Sequence, residues 1–598
     1  MQLIKNLSYQ FNIIIDRVFK NDQRKVLLII LFFGCLKLTL IDSINLGNAD
    51  EGYYINAASM MRETGDFLIP KYYWGPDRLN KPILIYWLSA IGQTIGPSDL
   101  VGSRLVTWIF GIGLLYISYL LGKLFFPKLN NHFLIPLLLA STIQFNKYVL
   151  DIIPEITFVF FVCLSQYSFW KAFLRINENR NSKKWVIIFY GVIGIGFMIK
   201  GPGAIIFPLL TALSFLIISR NINLLSYFIS PVGWILFFSI VAPWYLYLYS
   251  IYGSDLFITF FHREILQRIT VVHQLWRKLS IPVNLFPWSI IFILCPILGY
   301  KKGKKLSNEL LYIWCWFIST LSVILFVVQE YHAHYNLDFI IPGVLIAFSY
   351  ISQIPYSRIV RLLPWFISLI LMIWGLFFLI VSQLLQSAIS NPASLTVYSL
   401  LMIILSISIV VIIRSGSLSL ARQVFLISIP LIVGQTLFYH ALDKLTWPYS
   451  LAELIEKIEV EDSHSMLVTN ERINWDLSYT WTSFDKKVGG MFAGSMDEFT
   501  YKLSDDNKMD IRYAICSYQT YADLPKHIRD NWTVIAEKFY LRPDFSTLHI
   551  SNYYSSDSFT EKSRSILRFL KSSNPEDLFY KYVLITKRFD NQSLPKSY

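Results

Sequence analysis

The sequence predicts an α-helical polytopic membrane protein, with about thirteen transmembrane helices and a small C-terminal extracytoplasmic α/β domain. Of its 598 residues, 54% are apolar and only 16% are charged. Soluble globular proteins are nearer 45–50% apolar and about 25% charged, and disordered chains are poor in apolar residues. Apolar segments close to the ~20 residues that cross a bilayer also recur through the first 440 positions. Together these observations exclude a soluble enzyme for most of the chain.

The individual spans are predicted from apolar segments bounded by charged or turn-forming residues. The first follows a basic leader and precedes no small-residue cleavage site, so we expect it to stay in the protein as an uncleaved helix. We place the spans at 26–44, 105–126, 132–148, 154–172, 185–199, 203–219, 226–249, 283–300, 308–328, 335–352, 363–384, 396–413 and 424–440.

The distribution of basic residues predicts the orientation of these spans. The net charge of +13 does not indicate a nucleic-acid partner, because Lys and Arg are dispersed among short loops. Each even-numbered span ends in a basic loop, whereas the loops near 329–334 and 385–395 contain no Lys or Arg. Basic loops stay in the cytoplasm. We therefore expect a multi-pass protein of the cytoplasmic (inner) membrane, with a cytoplasmic N-terminus and with 45–104, 250–282 and the C-terminal domain outside.

The chain divides into two predicted domains, a transmembrane domain over 1–440 and an extracytoplasmic α/β domain over 441–598. In the second, charged residues return and strand-like runs alternate with helix-like ones. The runs typical of strands are Ser465–Thr469, Ile511–Ser517, Trp532–Tyr540, Thr547–Ser551 and Tyr582–Thr586. The five cysteines are dispersed without paired spacing, so neither a disulfide framework nor a structural zinc site is indicated.

Two adjacent carboxylates, Asp50 and Glu51, follow the first predicted span on its outer side. Ionisable groups at a membrane boundary are costly to desolvate and often mark a site. A carboxylate there could take a proton from an acceptor hydroxyl, and Lys81 with distant arginines could stabilise a departing phosphate. The alternative is that the acidic pair lies at the N-terminus of a solvated helix and interacts with its dipole.

The residues around this acidic pair form an ordered pattern. In chain order they are Asp50, Glu51, Tyr54, Gly65, Asp66, Pro70, Lys81, Pro82, Tyr86 and Trp87. This pattern resembles the GT-C integral-membrane glycosyltransferases that use polyprenyl-phosphate sugars. Among these enzymes, the sequence is most similar to the lipid A aminoarabinose transferases (ArnT-like) and more distantly similar to the protein O-mannosyltransferases. The resemblance covers roughly residues 1–440, and it implies that Asp50 is the catalytic base with Glu51 as its neighbour.

The same resemblance implies further site residues. The donor phosphate would meet four cationic side chains, Lys81, Lys200, Arg263 and Arg268. The substrate pocket would be lined by Tyr54, Asp151, Glu155, His332, His334 and Tyr335. The simpler alternatives are a solvated acidic pair at a helix start, a lysine that anchors a span end, and polar side chains that anchor a helix end.

A metal site is where this sequence departs from the pattern. Some relatives have a Glu immediately before the lysine of Lys-Pro and a His in the later outer loop, whereas this chain has Asn80 and Ile265. Divalent metals need charged or imidazole ligands. The resemblance therefore implies an inverting transfer that requires no cofactor, and the alternative is a rebuilt divalent-metal site that uses His262 and Glu264.

The predicted function is transfer of a sugar from a polyprenyl-phosphate donor to a lipid, glycan or protein acceptor of the cell envelope, as in lipid A modification. The partners are then this donor, the acceptor and membrane lipids. No glycine-rich phosphate loop accompanies a strand, so no nucleotide site is predicted. The alternatives are a transporter or flippase, which needs polar groups near mid-bilayer, and an O-antigen ligase-like polymerase for lipid-linked saccharides.

Overall fold

The computed structural model is mostly helical over the part of the chain that it describes. That part comprises residues 22–43, 51–71, 77–261, 288–289, 306–328, 332–353, 358–384, 392–414, 420–443, 454, 457–458, 466–469, 489–492, 495–504, 511–541, 568 and 579–587.

The first half of the helical region brings together the elements that surround the site. In chain order its helices are α1 (Asp22–Leu38), α2 (Glu51–Thr64), α3 (Leu84–Ile95), α4 (Asp99–Phe125), α5 (Leu134–Ala140), α6 (Ile143–Tyr148), α7 (Pro154–Asn177), α8 (Lys183–Lys200), α9 (Gly203–Ile218), α10 (Leu225–Phe228) and α11 (Pro231–Phe261). A short 3₁₀ turn, Ile222–Leu224, precedes α10.

The second half continues the bundle. Its helices are α12 (Asn308–Ser322), which runs into a π-helical turn at Val323–Val327, then α13 (Leu337–Gln353), α14 (Arg358–Leu384), α15 (Pro392–Arg414) and α16 (Leu420–Asp443). A 3₁₀ turn, Ala333–Asn336, leads directly into α13.

Six helices of the described chain are long and apolar enough to cross a membrane. They are Asp99–Phe125, Pro154–Asn177, Pro231–Ser254, Asn308–Val327, Ala333–Ser352 and Gln423–His440. Shorter apolar helices lie at Leu84–Ile95, Gly203–Ile218, Ile367–Ile380 and Leu395–Val411. These elements agree with the prediction of a polytopic helical protein. The predicted span 283–300 lies outside the described residues except at 288–289.

The predicted span 132–148 is not one continuous helix. It is divided into α5 and α6, because the backbone of Thr142 is extended and its hydroxyl caps α6 by accepting a hydrogen bond from the Phe145 amide at 3.3 Å. The Ser141 hydroxyl donates back to the Leu137 carbonyl at 2.9 Å. Such local hydrogen bonds compete with the helical ones, and hydropathy alone does not reveal them.

Three helix boundaries place charged residues at one end of the bundle. Proline at the first position of α7 favours a helix start there, which puts Glu155 in the first turn. Gly201 has a φ of +85°, so α8 ends at Lys200. The 3₁₀ turn before α13 places Asp338 in the first turn of that helix. We call the end of the bundle where these residues meet the site end.

Helices α3 and α4 cross at glycines. A Cβ atom at Gly92 would lie 2.2 Å from the Gly102 carbonyl oxygen, and one at Gly102 would lie 2.3 Å from the Gly92 carbonyl oxygen. A Cβ atom at Gly96 would likewise lie 2.3 Å from the Gly102 Cα atom. Small residues at such crossings permit close backbone packing within membranes. This crossing holds α3, which follows Lys81, against the helix that carries Arg104.

Residues beyond 443 contain a mixed five-stranded sheet. Its strands are β1 (Met466–Thr469), β2 (Gly489–Phe492), β3 (Ile511–Ser517), β4 (Trp532–Leu541) and β5 (Phe579–Lys587), in the order β2-β1-β3-β5-β4. β1 pairs in parallel with β2 and β3, whereas β5 pairs antiparallel with β3 and β4. The helices of this region are α17 (Met496–Leu503), α18 (Tyr518–Asp523) and α19 (Lys526–Arg529).

The sheet covers a small apolar core, in which the Trp532 indole donates to the Leu503 carbonyl at 3.1 Å. Four strands coincide with predicted strand-like runs, whereas β2 lies outside all of them. The predicted run 547–551 lies outside the described residues.

We predict that Gly102→Ala destabilises the protein despite the higher helix propensity of alanine. The new methyl group would meet backbone atoms of α3, which cannot rotate away. Thermal unfolding in detergent should show a lower midpoint than the wild type. The matched control is Gly191→Ala in α8, where the nearest atom is the flexible Leu236 Cδ2 at 3.2 Å. Equal midpoints for the two variants would contradict a close-packed crossing.

Candidate functional site

The candidate site begins with a buried ion pair between α2 and α4. The Arg104 guanidinium donates from Nε to Glu51 Oε1 at 2.8 Å and from Nη2 to Glu51 Oε2 at 3.0 Å. Both side chains are fully buried. The backbone amide of Ile152, just ahead of α7, also donates to Glu51 Oε1 at 3.2 Å. Glu51 therefore has its charge balanced and its position fixed.

The same guanidinium also holds the end of the first helical segment. Arg104 Nη1 donates to the Ile41 carbonyl at 3.0 Å and to the Ser43 carbonyl at 2.6 Å. Residues 44–50 thus run between two points that one arginine anchors, Ser43 before them and Glu51 after them. Asp50, the predicted base, lies in that segment, outside the described residues.

Asp151 is the next acid along the site. Its side chain is 1% exposed, and neither carboxylate oxygen has a hydrogen-bond partner among the described residues. Burial, and then the nearby Glu51 carboxylate, raise the pKa of Asp151 well above its usual value, although Lys147 and Arg104 oppose the shift. Asp151 is therefore suited to exist as a neutral carboxylic acid that can exchange a proton.

A second group of charges surrounds Lys200, and we call its members Glu155, Lys200, His334 and Asp338 the lysine cluster. Lys200 Nζ lies 3.3 Å from Glu155 Oε1 and 3.5 Å from Asp338 Oδ2. His334 Nε2 lies 3.2 Å from the same Glu155 oxygen. All four are at least largely buried, since the most exposed side chain, that of Lys200, is only 15% exposed. Three helix ends thus place opposite charges in contact.

Aromatic rings enclose the lysine of this cluster. Lys200 Nζ lies 4.9 Å from the centroid of the Phe158 ring and 5.0 Å from that of Tyr335. The His332 and His334 rings stack in parallel with centroids 5.2 Å apart, and Tyr335 meets His334 edge-on at 4.7 Å. The structure therefore brings together five residues that the sequence assigned to the site: Glu155, Lys200, His332, His334 and Tyr335.

Lys81 and Tyr54 lie nearby on the α2–α3 side. Lys81 is half-buried and close enough to Glu155 to act on it electrostatically. Tyr54 packs against Tyr86 with centroids 5.6 Å apart and lies beneath the Arg78 guanidinium at 5.1 Å. Arg78 Nε also donates to the Tyr86 hydroxyl at 3.0 Å. These contacts hold the chain that leads to Lys81.

The Gly-Asp motif has a structural explanation. Gly65 has a φ of +73°, which ends α2. Asp66 then accepts hydrogen bonds from the Leu68 and Ile69 amides, both at 3.2 Å, and from Lys71 Nζ at 2.8 Å. The lysine contact lowers the pKa of Asp66.

Two indoles tie this turn to the bundle. Trp87 of α3 donates to the Phe67 carbonyl at 2.6 Å, and Trp244 of α11 donates to the Leu68 carbonyl at 2.9 Å. The matched residues Gly65, Asp66 and Trp87 thus shape the loop that precedes Lys81.

Several predicted site residues cannot be placed. Asp50, Arg263 and Arg268 lie outside the described residues, as do the weak metal candidates His262 and Glu264. Over the described part of the chain, no group of three His, Cys, Asp or Glu residues could hold a metal ion.

The sequence analysis did not identify two charged residues of the site, Arg104 and Asp338. The available signal was a lone ionisable side chain at the start of an apolar segment, which is rarely accidental in a membrane protein.

Comparison with known proteins identifies relatives of the chain. Residues 24–254 match the family described as dolichyl-phosphate-mannose-protein mannosyltransferase. An uncharacterized protein of Aquifex aeolicus is 27% identical over 275 residues, 45% of this chain and 53% of the relative. Undecaprenyl phosphate-alpha-4-amino-4-deoxy-L-arabinose arabinosyl transferase 2 of Pseudomonas fluorescens is 26% identical over 299 residues, 48% of this chain and 50% of the relative. The chain spans about half the length of these two curated relatives.

The fold has a solved counterpart. The crystal structure of ArnT from Cupriavidus metallidurans bound to undecaprenyl phosphate superposes with a TM-score of 0.65 and 15% identity, and covers 86% of this chain and 96% of that one. The predicted resemblance is confirmed. Residues 24–254 are similar to the mannosyltransferase family. The fold is similar to that of ArnT, a GT-C-type structure, over most of the chain.

We predict that Arg104→Lys lowers the free energy of unfolding by at least about 2 kcal/mol. An ammonium group cannot hold both oxygens of Glu51 and two backbone carbonyls at once, so some of these buried acceptors lose their donor. Chemical unfolding in detergent, followed by tryptophan fluorescence, measures the change.

The matched control for this variant is Arg62→Lys. Arg62 pairs with Asp99 at 2.6 Å, but its side chain is 34% exposed. Loss of this partly solvated pair should cost less than about 1 kcal/mol. The buried anchor would be contradicted if both arginine variants lost the same stability.

We also predict that Asp151→Asn removes a pH dependence of stability. Because the folded-state pKa of Asp151 lies above its ordinary value near 3.8, the folded state binds the extra proton, and wild-type stability falls as pH rises from about 4 toward the folded-state pKa. Asparagine does not titrate, so the stability of Asp151→Asn relative to the wild type should rise over that range and stay constant below it. The exposed acid variant Asp42→Asn is the control, and a difference from wild type that stays constant with pH for Asp151→Asn would refute the shift.

Proposed function

We propose that this protein transfers a sugar from a polyprenyl-phosphate donor to a lipid, glycan or protein acceptor on the outer face of the cytoplasmic membrane. The observation that carries the proposal is the lysine cluster beside the Glu51–Arg104 pair at one end of a membrane-helix bundle. It offers a cation for a phosphate and acids for a proton within one continuous set of charges. The relatives named for undecaprenyl phosphate support this choice of donor.

The proposed reaction inverts the anomeric centre. The acceptor oxygen attacks the anomeric carbon while Asp50 takes its proton. The bond from that carbon to the phosphate oxygen breaks, and its electron pair stays on the phosphate, which leaves with the polyprenyl chain. Glu51, already bound by Arg104, serves to position Asp50, and Asp151 and Tyr54 help to line the pocket.

Fixed cations favour departure of the phosphate, because its negative charge grows as the bond breaks. Lys81 and Lys200 are the described candidates, and Arg263 and Arg268 complete the proposed set. Charged interactions of this kind are stronger where water is excluded. The partial burial of Lys81 and the deep burial around Lys200 therefore suit the role.

The charges at the other end of the bundle support the proposed orientation. Helix α7 ends near Lys171 and Arg175, and α8 begins with Lys183 and Lys184, whereas Lys200 ends α8 at the site end. Basic helix ends stay in the cytoplasm. The site end then faces outward, and about thirteen spans would place the sheet-containing C-terminal domain outside as well.

We test the proposal with purified protein in lipid nanodiscs and a panel of radiolabelled undecaprenyl-phosphate sugars that includes 4-amino-4-deoxy-L-arabinose. Envelope lipid, glycan and protein fractions serve as acceptors. We expect labelled product and released undecaprenyl phosphate with at least one donor. Asp50→Asn should slow transfer about 100-fold or more, whereas the exposed control Asp42→Asn should retain full activity.

Three outcomes would contradict parts of the proposal. Movement of labelled donor across vesicle membranes without any new glycosidic bond would indicate a flippase. Loss of transfer in EDTA, with recovery on addition of Mn²⁺ or Mg²⁺, would contradict the proposal that no metal is needed and would direct attention to His262 and Glu264. Full activity of Asp50→Asn would remove its assignment as the base.

A further inference from the structure

The lysine cluster has more negative charge than a phosphate-binding site requires. Lys200 contacts two carboxylates, from Glu155 on α7 and from Asp338 on α13. Each acid is at most 4% exposed. A site whose only task is to attract an anion gains nothing from a second acid, because like charges close together repel.

The two acids differ in their surroundings. Glu155 Oε1 contacts both Lys200 and His334, so two basic groups face it. Among the described residues Asp338 meets one basic group, Lys200, through Oδ2 at 3.5 Å. One oxygen of each acid, Glu155 Oε2 and Asp338 Oδ1, has no hydrogen-bond partner there, so the acids differ in the number of basic groups that face them. Asp338 is therefore the acid whose charge is less well compensated within the cluster.

The ligands of the proposed reaction differ by one negative charge. The donor is a phosphodiester with one charge, and the released carrier is a phosphomonoester whose charge is about −1.5 to −2 at pH 7. A fixed carboxylate beside the phosphate-binding lysine disfavours the second charge more than the first. Tight binding of the released carrier would slow turnover, since product release limits many enzymes.

We infer that Asp338 is a positioning residue that makes the Lys200 site discriminate against the phosphomonoester and so promotes release of the spent carrier. The inference rests on the proposed function. It assigns Asp338 no bond-making role, because its carboxylate acts through Lys200. A purely structural role, as an acid favoured in the first turn of α13, would instead affect donor and product alike.

The binding test compares two probes that differ at one oxygen, undecaprenyl phosphate and its methyl phosphodiester. Dissociation constants are measured by tryptophan fluorescence in nanodiscs at pH 8, where the monoester carries close to two charges. We expect Asp338→Asn to bind the monoester about tenfold more tightly and the diester less than about threefold more tightly.

Matched variants separate charge from packing. Asp338→Glu keeps the carboxylate and should keep the wild-type ratio of the two dissociation constants. Glu178→Gln removes an exposed acid at the opposite end of α7 and should also leave the ratio unchanged. Asp338→Ser provides a second neutral variant if the asparagine protein does not fold, and it should shift the ratio in the same direction.

Kinetics provide the second readout. With the donor found above, Asp338→Asn should slow multiple-turnover transfer more than single-turnover transfer, and multiple-turnover transfer should become more sensitive to added undecaprenyl phosphate. A structural defect would slow both measurements.

The binding and transfer results distinguish failure of the proposed function from failure of the role of Asp338. If the wild type binds neither probe and transfers no sugar, the proposed function fails. If the wild type transfers sugar and binds both probes but neutral variants at 338 leave the ratio unchanged, or weaken both probes equally, the proposed function stands and the role of Asp338 is overturned. A selective gain for the monoester supports it.

Discussion

The buried contact between Arg104 and Glu51 is the constraint on which the site depends. An arginine without exposure to water is tolerated only when its donors and its charge are satisfied. Arg104 meets this condition with both oxygens of Glu51 and the carbonyls of Ile41 and Ser43. Arg104 consequently fixes the end of the first helical segment and the start of α2, and its partner Glu51 accepts a hydrogen bond from the Ile152 amide just ahead of α7.

From this anchor the charges continue across the site end. Asp151 lies next to the Glu51 pair, and Glu155 follows in the first turn of α7, in contact with Lys200. The apolar bundle around them lowers the local dielectric, so each charge acts on its neighbours more strongly than it would in water. A change at one carboxylate therefore alters proton binding and anion binding at the others. This coupling suits a chain of buried acids to the proposed reaction, in which the acceptor oxygen loses a proton and the anomeric carbon loses a phosphate.

The sequence predicted much of this site but explained only part of it. Lys200, Glu155 and His334 were predicted as site residues and lie in contact. Asp66 and Trp87 belonged to the matched pattern, yet their contacts shape a turn and do not line the lysine cluster. Arg104 and Asp338 were missed, because hydropathy patterns identify apolar segments and say little about a single charge near a segment's end.

The amino-acid sequence alone determines the membrane character and most of the helices. It also contains the ordered pattern of the acidic pair, Gly-Asp and Lys-Pro. All of these are properties of residues that are neighbours along the chain. Tertiary structure alone decided the pairing of the charges. Arg104 and Glu51 are far apart along the chain, as are Lys200 and Asp338, and only the packing of helix ends brings them together. Hydropathy and periodicity are properties of up to about 20 neighbouring residues, whereas a buried charge takes whichever partner the neighbouring helices supply.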